Sequence, residues 1–206
     1  MKKILKTLID YSLFEKYDKD YFINNKILPL FENDISIKMA VCKNSKLETI
    51  KNDFNKVISF LEIDELELLF MISHIDQKTL LYSMALKAIS QNSFEKYVDK
   101  FLQELLSFSI NLRASDIHIE QYKDVILFKF RIDGRLKTFF AFCSEFFKLI
   151  SSYIKLISTL DMTQIRLPQD GRFALNIEDK KYDFRLSTMP TLEAESIVLR
   201  ILDNKN

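Results

Sequence analysis

Apolar residues at helical spacing (Ile4, Leu5, Leu8, Ile9, Tyr11, Leu13 and Phe14) predict a helix over 3–18. Two short β-rich runs follow, Ile27–Phe31 and Ile35–Cys42, and the intervening Glu32-Asn33-Asp34 predicts a hairpin turn. Leu47, Ile50, Phe54 and Val57 fall at i, i+3, i+7 and i+10, which predicts a helix over Lys46–Val57. Ile58–Ile63 reads as a strand, and Asp64–Ile75 and Gln77–Ser90 read as helices. A compact α+β unit is therefore expected up to about residue 76.

Ser93 is placed to cap a long helix whose stripe is Phe94, Tyr97, Val98, Phe101, Leu102, Leu105 and Leu106. After Ala114 the period falls from 3.6 to 2. Ile117 and Ile119 alternate with Asp116, His118 and Glu120, and Phe128, Phe130 and Ile132 alternate with Lys129 and Arg131. Asp133-Gly134 supplies the positive-φ pair of a hairpin turn back into a strand over Arg135–Phe142. A helix is expected over Ser144–Leu160, then a loop punctuated by Pro168 and Gly171. Two strands pairing across Glu178-Asp179 and a last strand, Ser196–Leu202, complete a small antiparallel α+β sandwich.

Composition narrows the function classes. The chain has 206 residues, 48% of them hydrophobic and 29% charged, and 30 basic residues against 29 acidic ones leave a formal charge of +1. That balance recommends neither nucleic acid nor an anionic membrane as a direct partner. The apolar runs are far shorter than the ~20 residues of a membrane span. The start, Met1-Lys2-Lys3, lacks a secretory apolar core, so a cytoplasmic location is the expectation. Cys42 and Cys143, each within an apolar segment, read as free thiols.

Only two glycines occur, in Asp133-Gly134-Arg135 and Asp170-Gly171-Arg172. A phosphate-cradling Walker loop or a dinucleotide fingerprint cannot be written with that inventory. Each tripeptide instead reads as a turn. Asp116, His118 and Glu120 share one strand face but span about 13 Å, too wide to ligate one metal ion. His74, between Ile72 and Ile75, reads as a surface or satisfied core histidine. With two histidines and neither near a cysteine, no nucleophilic triad is arguable.

Four ordered segments carry a resemblance: Ala114-Ser115-Asp116-Ile117-His118-Ile119-Glu120; Arg131-Ile132-Asp133-Gly134; Arg166-Leu167-Pro168-Gln169-Asp170-Gly171-Arg172-Phe173; and Asp183 to Thr191, leading to Val198-Leu199-Arg200-Ile201-Leu202-Asp203. Over 99–206 the chain resembles the second N-terminal domain of the ATPases that power type II secretion, type IV pilus assembly and DNA uptake. Ile27-Leu28-Pro29-Leu30-Phe31 and the following hairpin resemble, more weakly, the first N-terminal domain. The expected fold class is thus α+β in two small domains, the second a PAS-like antiparallel-sheet sandwich. The divisions are 1–76, a helical connector over 77–98, and 99–206. In that family a RecA-like domain with the Walker loop follows, so the resemblance implies an N-terminal fragment of a hexameric motor, without ATPase activity of its own. It implies partners in the RecA-like domain, neighbouring subunits and an inner-membrane assembly platform, with peripheral membrane association through them. ATP and Mg²⁺ would belong to the parent and none to the fragment. The chain departs from the family at Ala194-Glu195, where Gly-Glu is usual, and at Ile165-Arg166, where two arginines are frequent.

The arginines are the candidate chemistry. A guanidinium offers a planar fork of donors suited to phosphate oxygens; Arg131 and Arg185 lie on strand faces opposite Phe128/Phe130 and Phe184/Leu186, and Arg135, Arg166 and Arg172 flank the two glycine turns. By resemblance, Arg131 and Arg172, then Arg185, would face nucleotide held by the RecA-like domain. The alternative is that they pair with Asp116, Asp133, Asp170 or Asp183 and simply hold turns. Two other readings compete. Some relatives bind a cyclic dinucleotide in their first domain through an Arg-Leu-Gly motif, but no glycine precedes Gly134 here. A nucleic-acid module would need an aromatic-plus-basic cluster, which is not visible.

Overall fold

The computed structural model describes residues 9–48, 50, 54–90, 94–192 and 194–202. Positions 3–8 of the first expected helix, 49 and 51–53 of the next, the Ser93 cap and Asp203 lie outside them. Among the described residues the fold is α+β with two sheets, one of three strands ordered β1-β2-β3 and one of six ordered β6-β5-β4-β9-β8-β7.

The N-terminal segment departs from the helix expected through residue 18. Among its described residues, only α1 (Leu13–Lys16) and α2 (Lys19–Asn25) are helical. The Asp10 amide instead donates to the Leu30 carbonyl at 2.9 Å, and Asp10 Oδ1 accepts from the Ser12 amide at 3.0 Å. Asp18 caps α2 by accepting from the Asp20 amide at 2.9 Å. Acidic side chains bonding to nearby amides thus divide the segment. Tyr11 is fully buried, stacked on Phe140 with ring centroids 5.1 Å apart.

Strands β1 (Ile27–Glu32) and β2 (Ser36–Val41) form the expected hairpin, its turn held by Asn33 Oδ1, which accepts from the Ser36 amide at 2.7 Å. β3 (Val57–Glu62) runs parallel to β2, with Val57 opposite Ser36. Val57 therefore starts a strand instead of ending a helix: a parallel partner needs a crossover, which occupies the sequence before it.

A buried carboxylate knots this unit together. Glu32, 6% exposed at its side chain, accepts from Lys16 and from the Tyr17 hydroxyl and pairs with Lys56 Nζ at 2.9 Å. Burial pushes its carboxyl up, but the bonds from Lys16, Tyr17 and Lys56 outweigh that and bring it from 4.5 to about 2. Between those values the unfolded chain binds the extra proton, so this stabilisation is complete above about pH 4.5 and vanishes as pH falls through about 2. Glu32→Gln is expected to cost about 2–3 kcal/mol at neutral pH, with the gap to wild type closing across that window in urea titrations. A gap independent of pH would contradict the assignment.

Asp64 caps α3 (Glu65–Ile72) through the Leu66 and Glu67 amides at 3.1 and 3.3 Å. α4 begins two residues earlier than its pattern predicts (Ile75–Ser90), after His74 turns the chain with φ 55°. Lys78 of α4 is fully buried, its ammonium donating to the carbonyls of Phe70, Met71 and Ser73 at 2.7, 2.7 and 2.8 Å. It thereby satisfies the C-terminal end of α3.

The six-stranded sheet is antiparallel throughout: β4 (Asp116–Tyr122), β5 (Val125–Ile132), β6 (Arg135–Cys143), β7 (Gln169–Ile177), β8 (Lys180–Pro190) and β9 (Glu195–Leu202). α5 (Phe94–Asn111) and α6 (Glu145–Ile157) cover one face. Phe101 of α5 meets Phe128, Phe140 and Phe146 at centroid distances of 5.4, 6.0 and 4.7 Å. The core continues into the N-terminal unit, where Tyr82 meets Phe142 at 5.1 Å and Phe70 meets Phe139 at 6.1 Å.

The two Asp-Gly-Arg tripeptides have different structures. Asp133 and Gly134, at φ 49° and 73°, form the expected hairpin turn, as do Glu178 and Asp179 at 49° and 63°. Gly171 is no turn residue. It lies within β7, and a Cβ there would come within 3.1 Å of Leu160 and Ser158, so glycine serves close approach of the segment after α6. α6 itself ends at Ile157, short of the expected Leu160, where Thr159 takes a left-handed φ of 56°.

Candidate functional site

The sheet face opposite α5 and α6 carries an arginine row. Alternation puts Phe173, Phe184, Leu186, Leu199, Ile117 and Phe130 into the core and their neighbours outward. Strand register then aligns the outward residues: Arg172 is opposite Arg185, Arg185 opposite Arg200, Arg200 opposite Asp116, and Asp116 opposite Arg131. Four guanidinium side chains and one carboxylate thus cross five adjacent strands in a line about 19 Å long.

Asp116 organises one end. Its side chain is 6% exposed; Oδ1 is 2.9 Å from Arg200 Nε and Oδ2 is 3.2 Å from Arg131 Nε. Burial raises its carboxyl, but the Ser115 hydroxyl, Arg200 and Arg131 outweigh that and hold it below the usual carboxylate range. Arg131 Nη1 also reaches the Gly134 carbonyl at 3.4 Å. At the other end Arg172 is exposed, and Arg185 Nη2 lies 3.8 Å from Asp170 Oδ1, which also accepts from the Ser187 hydroxyl at 2.5 Å. A recess of about 240 Å³ opens between the ends, lined by Arg185, Ser187, Val198 and Arg200.

Like charges directly opposite on neighbouring strands oppose pairing. Arg172, Arg185 and Arg200 nonetheless stand side by side, and among the described residues their ion pairs are the loose Asp170 contact of Arg185 and a share of Asp116 for Arg200. The row has an excess of positive charge that an oxyanion in the recess would relieve, and guanidinium forks suit phosphate oxygens.

Arg131, Arg172 and Arg185 therefore share one face and one row, with Arg131 and Arg172 at its two ends. Arg135, register partner of Ile132, is outside the row, and exposed Arg166 sits in the loop before β7. Arg200 is the member that sequence reasoning missed. The alternation of buried Ile197 and Leu199 with Val198 and Arg200 was the available signal.

One step along the same face, His118 lies opposite Val198 and Lys129. Its Nε2 is shielded from solvent and has no hydrogen-bond partner among the described residues. Burial, then Arg131, lower its affinity for a proton, against smaller opposing effects of Glu120 and Asp116. Glu120 itself pairs with Lys129 at 2.5 Å.

A second buried pair supports the site from below. Lys155 and Glu195, 1% and 2% exposed at their side chains, meet at 2.7 Å, and Lys155 Nζ also donates to the Gln164 carbonyl at 2.8 Å. The contact joins α6, the loop leading to β7, and the first residue of β9. Beside Ala194, Glu195 is thus a core ion-pair residue.

Residues 90–206 match the family described as Type II/IV secretion system protein. The chain is 41% identical over 107 residues to Type II secretion system protein E of Aeromonas hydrophila, covering 52% of this chain and 21% of that protein. It is 40% identical over 109 residues to the Putative type II secretion system protein E of Escherichia coli K12, covering 53% and 22%. Against Type II secretion system ATPase E of Vibrio cholerae it is 38% identical over 104 residues, covering 50% and 21%. The chain thus spans about a fifth of the length of the relatives it matches. Among the described residues, no helix is long and apolar enough to cross a membrane.

Proposed function

This chain belongs to the Type II/IV secretion system protein family, and from that premise we propose that it is the N-terminal region of a secretion motor ATPase whose arginine row meets nucleotide phosphate held by a RecA-like lobe. The observation that carries this reading is the register-aligned row Arg172–Arg185–Arg200–Asp116–Arg131, positively charged beyond its own carboxylates. Opposed cations weaken a sheet, so their alignment is best explained by an anion that the row receives. The row offers side-chain donors on an open face, so ATP and Mg²⁺ would be cradled by the RecA-like lobe and completed by arginines from this one. Here the unit over 99–206 presents the row, 77–98 connects, and 1–76 docks on an inner-membrane platform in a hexameric, cytoplasmic motor at the membrane periphery. Of the machines open to the sequence, type II secretion is the one the relatives' names favour.

Purified chain given ATP and Mg²⁺ is expected to release no phosphate above buffer and to stimulate a RecA-like lobe of the same protein supplied in trans. Mg²⁺-dependent hydrolysis by the chain alone would contradict the division of labour.

A further inference from the structure

His118 occupies the row of the sheet next to the arginines. Cross-strand partners lie about 5 Å apart and diagonal ones roughly 7–8 Å, which puts the imidazole beside Val198, a wall of the recess, and diagonal to Arg200. The charged groups facing it are Asp116 and Glu120 on its own strand, Lys129 and Arg131 on β5, and Arg200 on β9. Both carboxylates are engaged elsewhere, Asp116 by Arg200 and Arg131 and Glu120 by Lys129. Three cations and two paired carboxylates therefore surround an imidazole whose Nε2 has no hydrogen-bond partner among the described residues.

We propose that His118 is a proton site linked to anion binding: a phosphate group seated between Arg185 and Arg200 favours protonation of the imidazole, and protonation in turn tightens the hold on phosphate. The inference rests on the reading of the row as a phosphate-receiving surface. The cause is electrostatic. In the free protein burial, then Arg131 and Lys129, disfavour a positive charge at His118, against the opposing effects of Glu120 and Asp116. An oxyanion in the recess neutralises that field, and linkage requires the effect to be reciprocal. The surface then responds in the pH range where histidine titrates.

The chain has only two histidines, so imidazole NMR of this 206-residue chain resolves His118 from His74. The experiment follows both rings through a pH titration with saturating inorganic triphosphate, and again with potassium chloride at equal ionic strength. His118 is expected to titrate about one pH unit higher with triphosphate than with chloride, and His74 at the same pH in both. Triphosphate affinity should rise about tenfold as His118 gains its proton. Arg185→Gln should abolish the displacement. If triphosphate perturbs the Arg185 and Arg200 amides but leaves the His118 midpoint unmoved, the linkage is wrong and the row remains an anion surface. If neither responds, the row reading fails and the linkage with it.

Discussion

Replacing Arg185 or Arg200 with Gln in the full motor proposed above is expected to lower ATP turnover by roughly 10³-fold, about 4 kcal/mol of transition-state stabilisation. These two line the recess, and their register places them side by side on adjacent strands. Gln retains hydrogen-bonding capacity but not the charge or the fork, so the loss should fall on turnover more than on nucleotide affinity. Arg185→Gln should leave the stability of this chain unchanged or raise it by a few tenths of a kcal/mol, because it relieves opposed like charges and gives up only a loose contact to Asp170, whereas Arg200→Gln also takes a partner from the buried Asp116 carboxylate. That contrast separates the proposed role from the alternative that the arginines hold turns. Were Arg185 structural, Gln there would destabilise the fold and spare turnover. Asp116→Asn should act in between, since it frees Arg200 and Arg131 from the carboxylate that orients them.

Breaking the Lys155–Glu195 pair should have the largest effect on folding. Both side chains are almost completely buried, at 1% and 2% exposure. Lys155→Met or Glu195→Leu alone would strand one charge in the core, which costs about 3–5 kcal/mol, a large share of a domain's usual ~5–15 kcal/mol. Joint replacement by apolar residues removes both charges, and the double variant should recover most of the loss. Urea denaturation of the three variants reads this directly. Single variants within about 1 kcal/mol of wild type would show that the pair is not sealed from water.

Legibility in the sequence followed the range of the interactions involved. The hairpins of the six-stranded sheet were readable because the period-2 alternation in β4 and β5 and the Asp133-Gly134 and Glu178-Asp179 turns are local signals. The helical stripe around Phe101 was readable for the same reason. The N-terminal segment was not. Tyr11 keeps helical spacing with its neighbours, yet it is bound by stacking on Phe140, and the Asp10 amide bonds to Leu30. Val57 was misread because the parallel pairing of β3 with β2 has no local mark. Gly171 was read as a turn by analogy with Gly134, whereas its constraint comes from Leu160 and Ser158. Arg131, Arg172 and Arg185 stand out in the sequence, but the row itself does not. Strand order places β9 between β4 and β8, so Arg200 joins residues far away in the chain. Only register shows that Arg131 and Arg172 are the row's ends and that its recess lies between Arg185 and Arg200.

The most direct measurement is a structure of the full-length motor with a non-hydrolysable ATP analogue and Mg²⁺. The account predicts guanidinium nitrogens of Arg185 and Arg200 at about 3 Å from phosphate oxygens, with the open face of the six-stranded sheet turned toward the RecA-like lobe. A row turned to solvent, or lying more than about 10 Å from every phosphate, would contradict it.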